Sequence, residues 1–296
     1  MYDCIIIGSG VAGMSAAIYL KRASKKVLII EKETIGGQIS SSPLVENYPG
    51  FISISGSELA NNMFEQVLNL GVEVLLEEVI KIEDGQIKKV ITKDNIYETK
   101  TIIVATGAKH RLLGLPNEIN LIGKGIHFCV SCDGAFYKEK TVAVIGGGNS
   151  ALINALALAD IAKHVYIIQN LKVLSGEVKL QEELKTKNNI EIIYNSKVIE
   201  LIGEDELKEI VIDNTSEKRN LKIDGMFISI GLIPQTKEFA NDLLLTKDNY
   251  IKSDDCKTNI LGVYVAGDVR QKEIRQLTTA TSDGTIAALL AISYLK

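Results

Sequence analysis

The chain opens on an apolar run, Tyr2 to Ile7 (YDCIII), short enough for a buried strand, and turns at once through GSGVAG (Gly8 to Gly13) into an amphipathic helix. A second apolar run, Val27 to Ile30, follows and ends on Glu31. Strand, glycine turn, helix, strand and acid, in that order, make a dinucleotide-binding unit. The first glycine permits the tight turn, the second lets backbone approach a pyrophosphate, and the third lets helix pack on strand. The helix N-terminus then faces the phosphates, and Glu31 can accept hydrogen bonds from ribose hydroxyls.

The same pattern returns from Thr141 to Ile168: strand TVAVI, turn GGGNSA (Gly146 to Ala151), helix, and strand VYII. Its register matches the first copy, so that Gln169 stands where Glu31 stood. Two such units in one chain are the layout of a flavoprotein that receives electrons from a nicotinamide. Between them, Val72 to Val104 alternates like a small strand set, and IIVATG (Ile102 to Gly107) is a strand running into a glycine turn. Asp224 to Gly231 forms a similar segment. VYVAGDV (Val263 to Val269) places Asp268 after a buried strand, and a helix follows from about Gln276 to Tyr294.

The expected fold is α/β, with two Rossmann-like dinucleotide-binding domains of three layers, the second inserted into the first. Residues 1–112 and 240–296 make one discontinuous domain and residues 113–239 the insertion. A length of 296 residues, 46% of them hydrophobic, is enough for two cores. The net charge of -4 gives no general attraction to nucleic acid or to an anionic membrane. Two long uncharged stretches, Cys4 to Leu20 and Thr141 to Ala159, are each broken by glycines and read as strand, turn and helix rather than membrane spans. The N-terminus lacks the basic flank of a signal peptide, so a cytoplasmic location is expected.

Of the four cysteines, Cys129 and Cys132 stand two residues apart in HFCVSCDGA, with Asp133 directly after. That spacing closes a small disulfide and favours a lowered thiol pKa, which is redox chemistry. A zinc site would need two more ligands, and Cys4 and Cys256 are remote in sequence, so no metal is expected. A metal site or inert buried thiols remain the alternatives. Asp133 is placed either for general acid/base work at the sulfurs or simply for an Asp-Gly turn.

The motifs GSGVAG, GGQ (Gly36 to Gln38), ENYPGF (Glu46 to Phe51), ATGA (Ala105 to Ala108), CVSCDG, GGGNSA, AGDV (Ala266 to Val269) and RQ (Arg275, Gln276) together resemble the low-molecular-weight bacterial thioredoxin reductases over the whole chain. The C-x-x-C-D-G just ahead of the second glycine turn is the specific sign. The resemblance implies FAD held by Gly8, Ser9, Gly10, Ala12 and Gly13, by Glu31, Gln38 and Asn47, and by Asp268 at the ribityl chain. Gly37, Val79, Thr106, Gly107, Gly267, Arg275, Gln276 and Leu277 would complete that pocket. It further implies that Cys132 meets the flavin, that Cys129 attacks the thioredoxin disulfide, that Asp133 supplies the proton, and that the protein is a homodimer.

The second unit departs from that family. Members using NADPH carry H-R-R-x-x-x-R after the second strand, where arginines pair with the 2'-phosphate. Here the stretch reads QNLKVLS: Gln169, Asn170 and Leu171 replace H-R-R, and Ser175 replaces the last arginine. Asn149, Ile153 and Asn154 stand where carboxylates are usual. The sequence therefore resembles the ferredoxin-dependent flavin thioredoxin reductases, a branch with a degenerate pyridine-nucleotide site. Between a plant-type ferredoxin near roughly -400 mV and thioredoxin near about -270 mV, two electrons release on the order of 6 kcal/mol. NAD(P)H bound through altered contacts and a dithiol oxidase passing electrons to oxygen are the alternatives. An acidic ferredoxin would need a local basic patch, for which Lys138, Lys140, Arg270, Lys272 and Arg275 are candidates.

Overall fold

In the computed structural model, which describes residues 1–42, 44–214 and 217–296, the opening apolar run is strand β1 (Tyr2–Ile7). Its side chains alternate between two cores. Ile5 and Ile7 face Leu28, Ile30, Ile102 and Val104, while Cys4 and Ile6 face Val27, Ile29 and Ile103. Burial on both faces is what a parallel strand requires and why these runs are apolar without a break. After the glycine turn comes α1 (Val11–Arg22), with Lys21 and Arg22 at its C-terminal end where the helix dipole favours cations. Strand β2 (Val27–Glu31) leads on to α2 (Gly56–Asn69), which Ser55 caps by accepting the Glu58 N–H at 3.2 Å.

Strands β3 (Glu73–Leu76), β4 (Val79–Glu83), β5 (Lys88–Thr92) and β6 (Ile96–Val104) complete most of the first sheet, in the order β3-β2-β1-β6-β5-β4. β6 serves two regions. Its first half pairs antiparallel with β5 and its last residues run parallel to β1. The chain leaves this unit in β7 (Ala108–His110).

The second unit contains α3 (Glu118–Leu121), β8 (Ile126–His127), α4 (Val130–Asp133), β9 (Thr141–Ile145), α5 (Asn149–Ala159), β10 (His164–Ile168), α6 (Val178–Lys185) and β11 (Ile190–Ile193). There follow an antiparallel set, β12 (Lys197–Ile202), β13 (Glu209–Asp213) and β14 (Lys218–Lys222), then β15 (Gly225–Ile228) and β16 (Leu232–Pro234). Its parallel sheet has the order β11-β10-β9-β15-β8. Three outward strands and then a crossover, the arrangement of β3-β2-β1-β6, recur here as β11-β10-β9-β15. Both units are therefore Rossmann-like, and each has its crevice at the C-terminal ends of the strands flanking the crossover.

Strand β17 (Val263–Val265) then adds to β6 in the first sheet, and α7 (Leu277–Tyr294) packs beside α1. The two compact units are Met1–Lys109 with Ile233–Lys296, and His110–Leu232. Residues 233–239, expected in the insertion, belong instead to the first unit, because Phe239, only 1% exposed, fills the same core as Ile5, Ile7 and Val265. Residues 110–112, expected in the first domain, belong to the second. Among the described residues, no helix is long and apolar enough to cross a membrane.

Candidate functional site

The two glycine turns have the same backbone logic. Gly8 and Gly146 both take positive φ, 106° and 125°, and each lies against the residue that follows the neighbouring strand. A Cβ on Gly8 would stand 2.4 Å from the Ala105 oxygen, and one on Gly146 would stand 2.6 Å from the Ser229 oxygen. No side chain fits either place. Gly13 is needed for a different reason: a Cβ there would meet the Gly8 oxygen at 2.0 Å, so α1 rests directly on the turn.

Around the first turn, Gly10 is open, with only the Gly36 oxygen 4.0 Å from a hypothetical Cβ, and Gly107, at φ 69°, also faces open space. Gly37 takes φ 61° beside Gly10. The Glu31 carboxylate takes the Ser9 N–H at 2.8 Å and the Ser9 hydroxyl at 2.9 Å on one oxygen, and the Lys32 and Glu33 N–H groups on the other. A ribose hydroxyl reaching Glu31 must displace one of these donors, and the Ser9 hydroxyl is the one free to rotate. Gln38 donates its amide to the Ala108 oxygen, and Thr106 donates to the Gln235 oxygen at 2.6 Å.

Asp268 sits in a single 3-10 turn after β17. Its Oδ1 is buried and, among the described residues, has Lys272 Nζ at ion-pair distance, 3.2 Å, but no hydrogen bond of proper geometry. An acceptor so placed is available to a ligand hydroxyl. Arg275 lays its guanidinium over the Tyr250 ring at 4.1 Å and donates to the main-chain oxygen of Asp268, and Gln276 caps α7 in a capping box with Thr279. Leu277 begins α7, half-buried against the helical core. Val79 is buried in the sheet core, so it can offer a ligand only main chain. Asn47 is exposed in the loop before α2.

Sequence reading missed the group that organises this end. Asp283, on α7 and 6% exposed, accepts from the Gly267 N–H at 3.1 Å and from Lys272 at 2.9 Å, and pairs with Arg270 at 3.1 Å. The single charged side chain along the 18 residues of α7 was the available signal. Arg270 and Lys272 are consequently not part of an open basic patch, as their positions suggested: their charges are matched internally, and Arg275 is half-buried on Tyr250. Lys138 and Lys140 are exposed.

In the second unit Cys129 and Cys132 form a disulfide, with Cα atoms 5.2 Å apart and both residues half-buried. Cys129 stands at the N-cap of α4, and its oxygen accepts the Asp133 N–H at 3.0 Å. Asp133 is not a solvent-facing turn residue. Its carboxylate is buried and lies 3.2 Å from His127 Nδ1. An acid held in this way beside a disulfide has the chemistry to give or take a proton as the sulfurs separate.

The second glycine turn is occupied by the chain's own groups. Gln169 folds over Gly147, where a Cβ would meet its amide nitrogen at 2.3 Å, and is fixed by donating to the Val173 oxygen at 3.0 Å and accepting the Asn170 N–H. The Ser175 and Gly176 N–H groups both donate to the Gly147 oxygen, at 2.8 and 3.0 Å. Asn149 and Glu177 hydrogen-bond to each other twice, side chain to side chain at 2.9 Å and backbone N–H to amide oxygen at 2.7 Å. Asn154 donates to the Ser229 hydroxyl, while Ile153, Leu171 and Val173 are exposed apolar side chains.

The model for pyridine nucleotide-disulphide oxidoreductases matches residues 2–284. The chain is 45% identical over 298 residues, 99% of this chain and 97% of the other, to a protein described as the 34.2 kDa protein in the rubredoxin operon of Clostridium pasteurianum. It is 41% identical to a thioredoxin reductase of Ureaplasma parvum, covering 100% of this chain and 97% of that one. The crystal structure of thioredoxin reductase from Streptococcus pyogenes superposes with a TM-score of 0.95 at 40% identity, covering 100% and 98% of the two chains.

Proposed function

Because the chain belongs to the pyridine nucleotide-disulphide oxidoreductase family, among its thioredoxin reductases, we propose that it reduces the thioredoxin disulfide through Cys129 and Cys132, with FAD in the first unit and reduced ferredoxin as electron donor. FAD, when bound, supplies a centre that accepts electrons singly and releases them in pairs. The residues of the first unit fit that group. The open backbone at Gly10 suits a pyrophosphate, the N-terminus of α1 suits its charge, and the buried, unsatisfied Asp268 oxygen suits a ribityl hydroxyl. Ser9, Ala12, Gly13, Glu31, Gly37, Gln38, Asn47, Val79, Thr106, Gly107, Gly267, Arg275, Gln276 and Leu277 complete the proposed contact set.

In the second unit, Cys132 is the sulfur that takes electrons from the flavin and Cys129 the one that attacks the thioredoxin disulfide. Asp133 carries the proton. Donation of that proton keeps charge off the sulfur that is about to leave, and a better leaving group speeds thiol–disulfide exchange.

The observation supporting ferredoxin is the self-occupied second glycine turn. A nicotinamide coenzyme would have to expel Gln169 from over Gly147 and break the Asn149–Glu177 pair, and it would gain no arginine for a 2'-phosphate and no acid for a ribose. Anaerobic titration of the flavin absorbance tests this. Reduced ferredoxin is expected to bleach it stoichiometrically, and NADPH or NADH to leave it unchanged. Bleaching by either nicotinamide at low concentration would favour direct use of that coenzyme, for which the retained glycine scaffold is the supporting feature.

A further inference from the structure

Beside the disulfide, two buried polar groups that the proposed reduction of thioredoxin does not use, His127 and Tyr137, form a line with Asp133. His127 Nδ1 faces Asp133 Oδ2 at 3.2 Å, and His127 Nε2 faces the Tyr137 hydroxyl at 2.7 Å. The imidazole is clamped, with Phe227 stacked on it and Tyr137 edge-on, each with centroids 5.4 Å away. Tyr137 itself occupies space that only glycine leaves: a Cβ on Gly225 would meet its ring at 2.2 Å.

This geometry fixes the imidazole tautomer. The Asp133 carboxylate can only accept, so the ring hydrogen between the two groups stands on Nδ1, and Nε2 is left to accept the Tyr137 hydroxyl, whose phenol burial holds protonated. A neutral imidazole that accepts at Nε2 carries its hydrogen on Nδ1. That hydrogen points at Asp133 Oδ2. The tied oxygen leaves Oδ1 to carry a proton, and Asp133 is the neighbour of Cys132 within one helical turn.

We infer that His127 is a positioning residue for disulfide chemistry: it holds the Asp133 carboxyl by Oδ2 in the orientation that serves the Cys129–Cys132 sulfurs, and Tyr137 holds the tautomer that lets it do so. The inference rests on the acid–base role proposed above for Asp133. When an external dithiol opens the bond, its thiolate forms a new S–S bond to one cysteine sulfur while the Cys129–Cys132 bond breaks. The bond's electron pair leaves on the other sulfur, which takes the proton from Asp133. The second dithiol sulfur then closes its own ring disulfide and releases the first cysteine. Two electrons and two protons pass from the dithiol to the two cysteines, one proton by way of Asp133.

Rapid quench measures this step without any partner protein. Oxidised enzyme is mixed with dithiothreitol at one pH, quenched in acid and alkylated, and the free thiols of Cys129 and Cys132 are counted by mass. Asp133→Asn and His127→Leu are expected to slow opening by about 100-fold, the lower end of the general acid–base range. His127→Asn keeps an N–H facing Oδ2 and is expected to stay within about threefold of the unmodified protein, one hydrogen bond having been lost on the Tyr137 side. Tyr137→Phe keeps the ring packing and, having lost the tautomer lock, is expected to fall between them even if His127→Leu proves unstable. Thermal melting and flavin content check the fold of each. Normal opening in His127→Leu or Tyr137→Phe with slow opening in Asp133→Asn would overturn the role of His127 and leave that of Asp133 standing. So would His127→Asn being as slow as His127→Leu. Normal opening in Asp133→Asn would overturn both.

Discussion

Asp283 gathers a main-chain N–H, a lysine and an arginine onto one buried carboxylate, and so sets the path of the loop that presents Asp268. Replacing it by leucine leaves Lys272, 8% exposed, with Asp268 as its remaining ion-pair partner, and Arg270 with no carboxylate at ion-pair distance among the described residues. Asp283→Leu is expected to lower stability by about 3–5 kcal/mol, the cost of an uncompensated buried charge, read from urea midpoints. It should also lower the flavin retained after dialysis. Cys129→Ser and Cys132→Ser are each expected to abolish formation of thioredoxin thiols while leaving flavin content unchanged, because neither cysteine belongs to the first unit. The glycines and the cysteine pair are legible in sequence because each is dictated by its own neighbourhood: a φ of 106° or a two-residue spacing needs no distant partner. Asp283 and His127 are not legible in that way. Their partners come from a loop eleven residues upstream and from the turn after α4, and only the folded path brings them together.

At the scale of elements, α1 and α7 approach each other backbone to backbone. A Cβ on Gly284 would stand 2.1 Å from the Ala12 oxygen, and that oxygen is main chain, which cannot turn aside. Gly284→Ala is therefore expected to destabilise by about 1–3 kcal/mol through overpacking, with a lowered melting temperature as the measure. Any favourable effect on helix propensity is smaller than this clash. The sequence pattern carried the long elements well, since β1, β2, β9 and β10 centre on apolar runs and the second half of α7 is rich in Ala and Leu. It did not carry β7, β8 and β16, which are two or three residues long and too short for any period to show. The return of residues 233–239 to the first sheet was hidden for a related reason: the anchor is a single residue, Phe239, whose core lies far away in sequence.

For the molecule as a whole, acidity and connectivity each have a consequence. Burial pushes His110 down from 6.5 to about 4, and Phe128 stacks on its ring at 4.3 Å. Between those values the unfolded chain binds a proton that the folded chain refuses. This contribution to stability is thus fully present above the ordinary histidine pKa and is lost as pH falls toward about 4. His110→Gln is expected to flatten that part of the pH–stability curve, measured as the difference in urea midpoints between neutral and acidic buffer. Connectivity follows from where the chain changes units. On the first side of the crossing Gln235 N–H reaches the Gly107 oxygen at 3.0 Å, and on the second Arg111 N–H reaches the Gly231 oxygen at 3.1 Å. Each unit thus closes its own seam, and the insertion behaves as a cassette whose two ends already meet. A shortened gene that joins Lys109 directly to Ile233 is expected to yield a folded flavoprotein with no thiol chemistry, and the excised piece, residues 110–232, to fold around its own sheet and keep its disulfide.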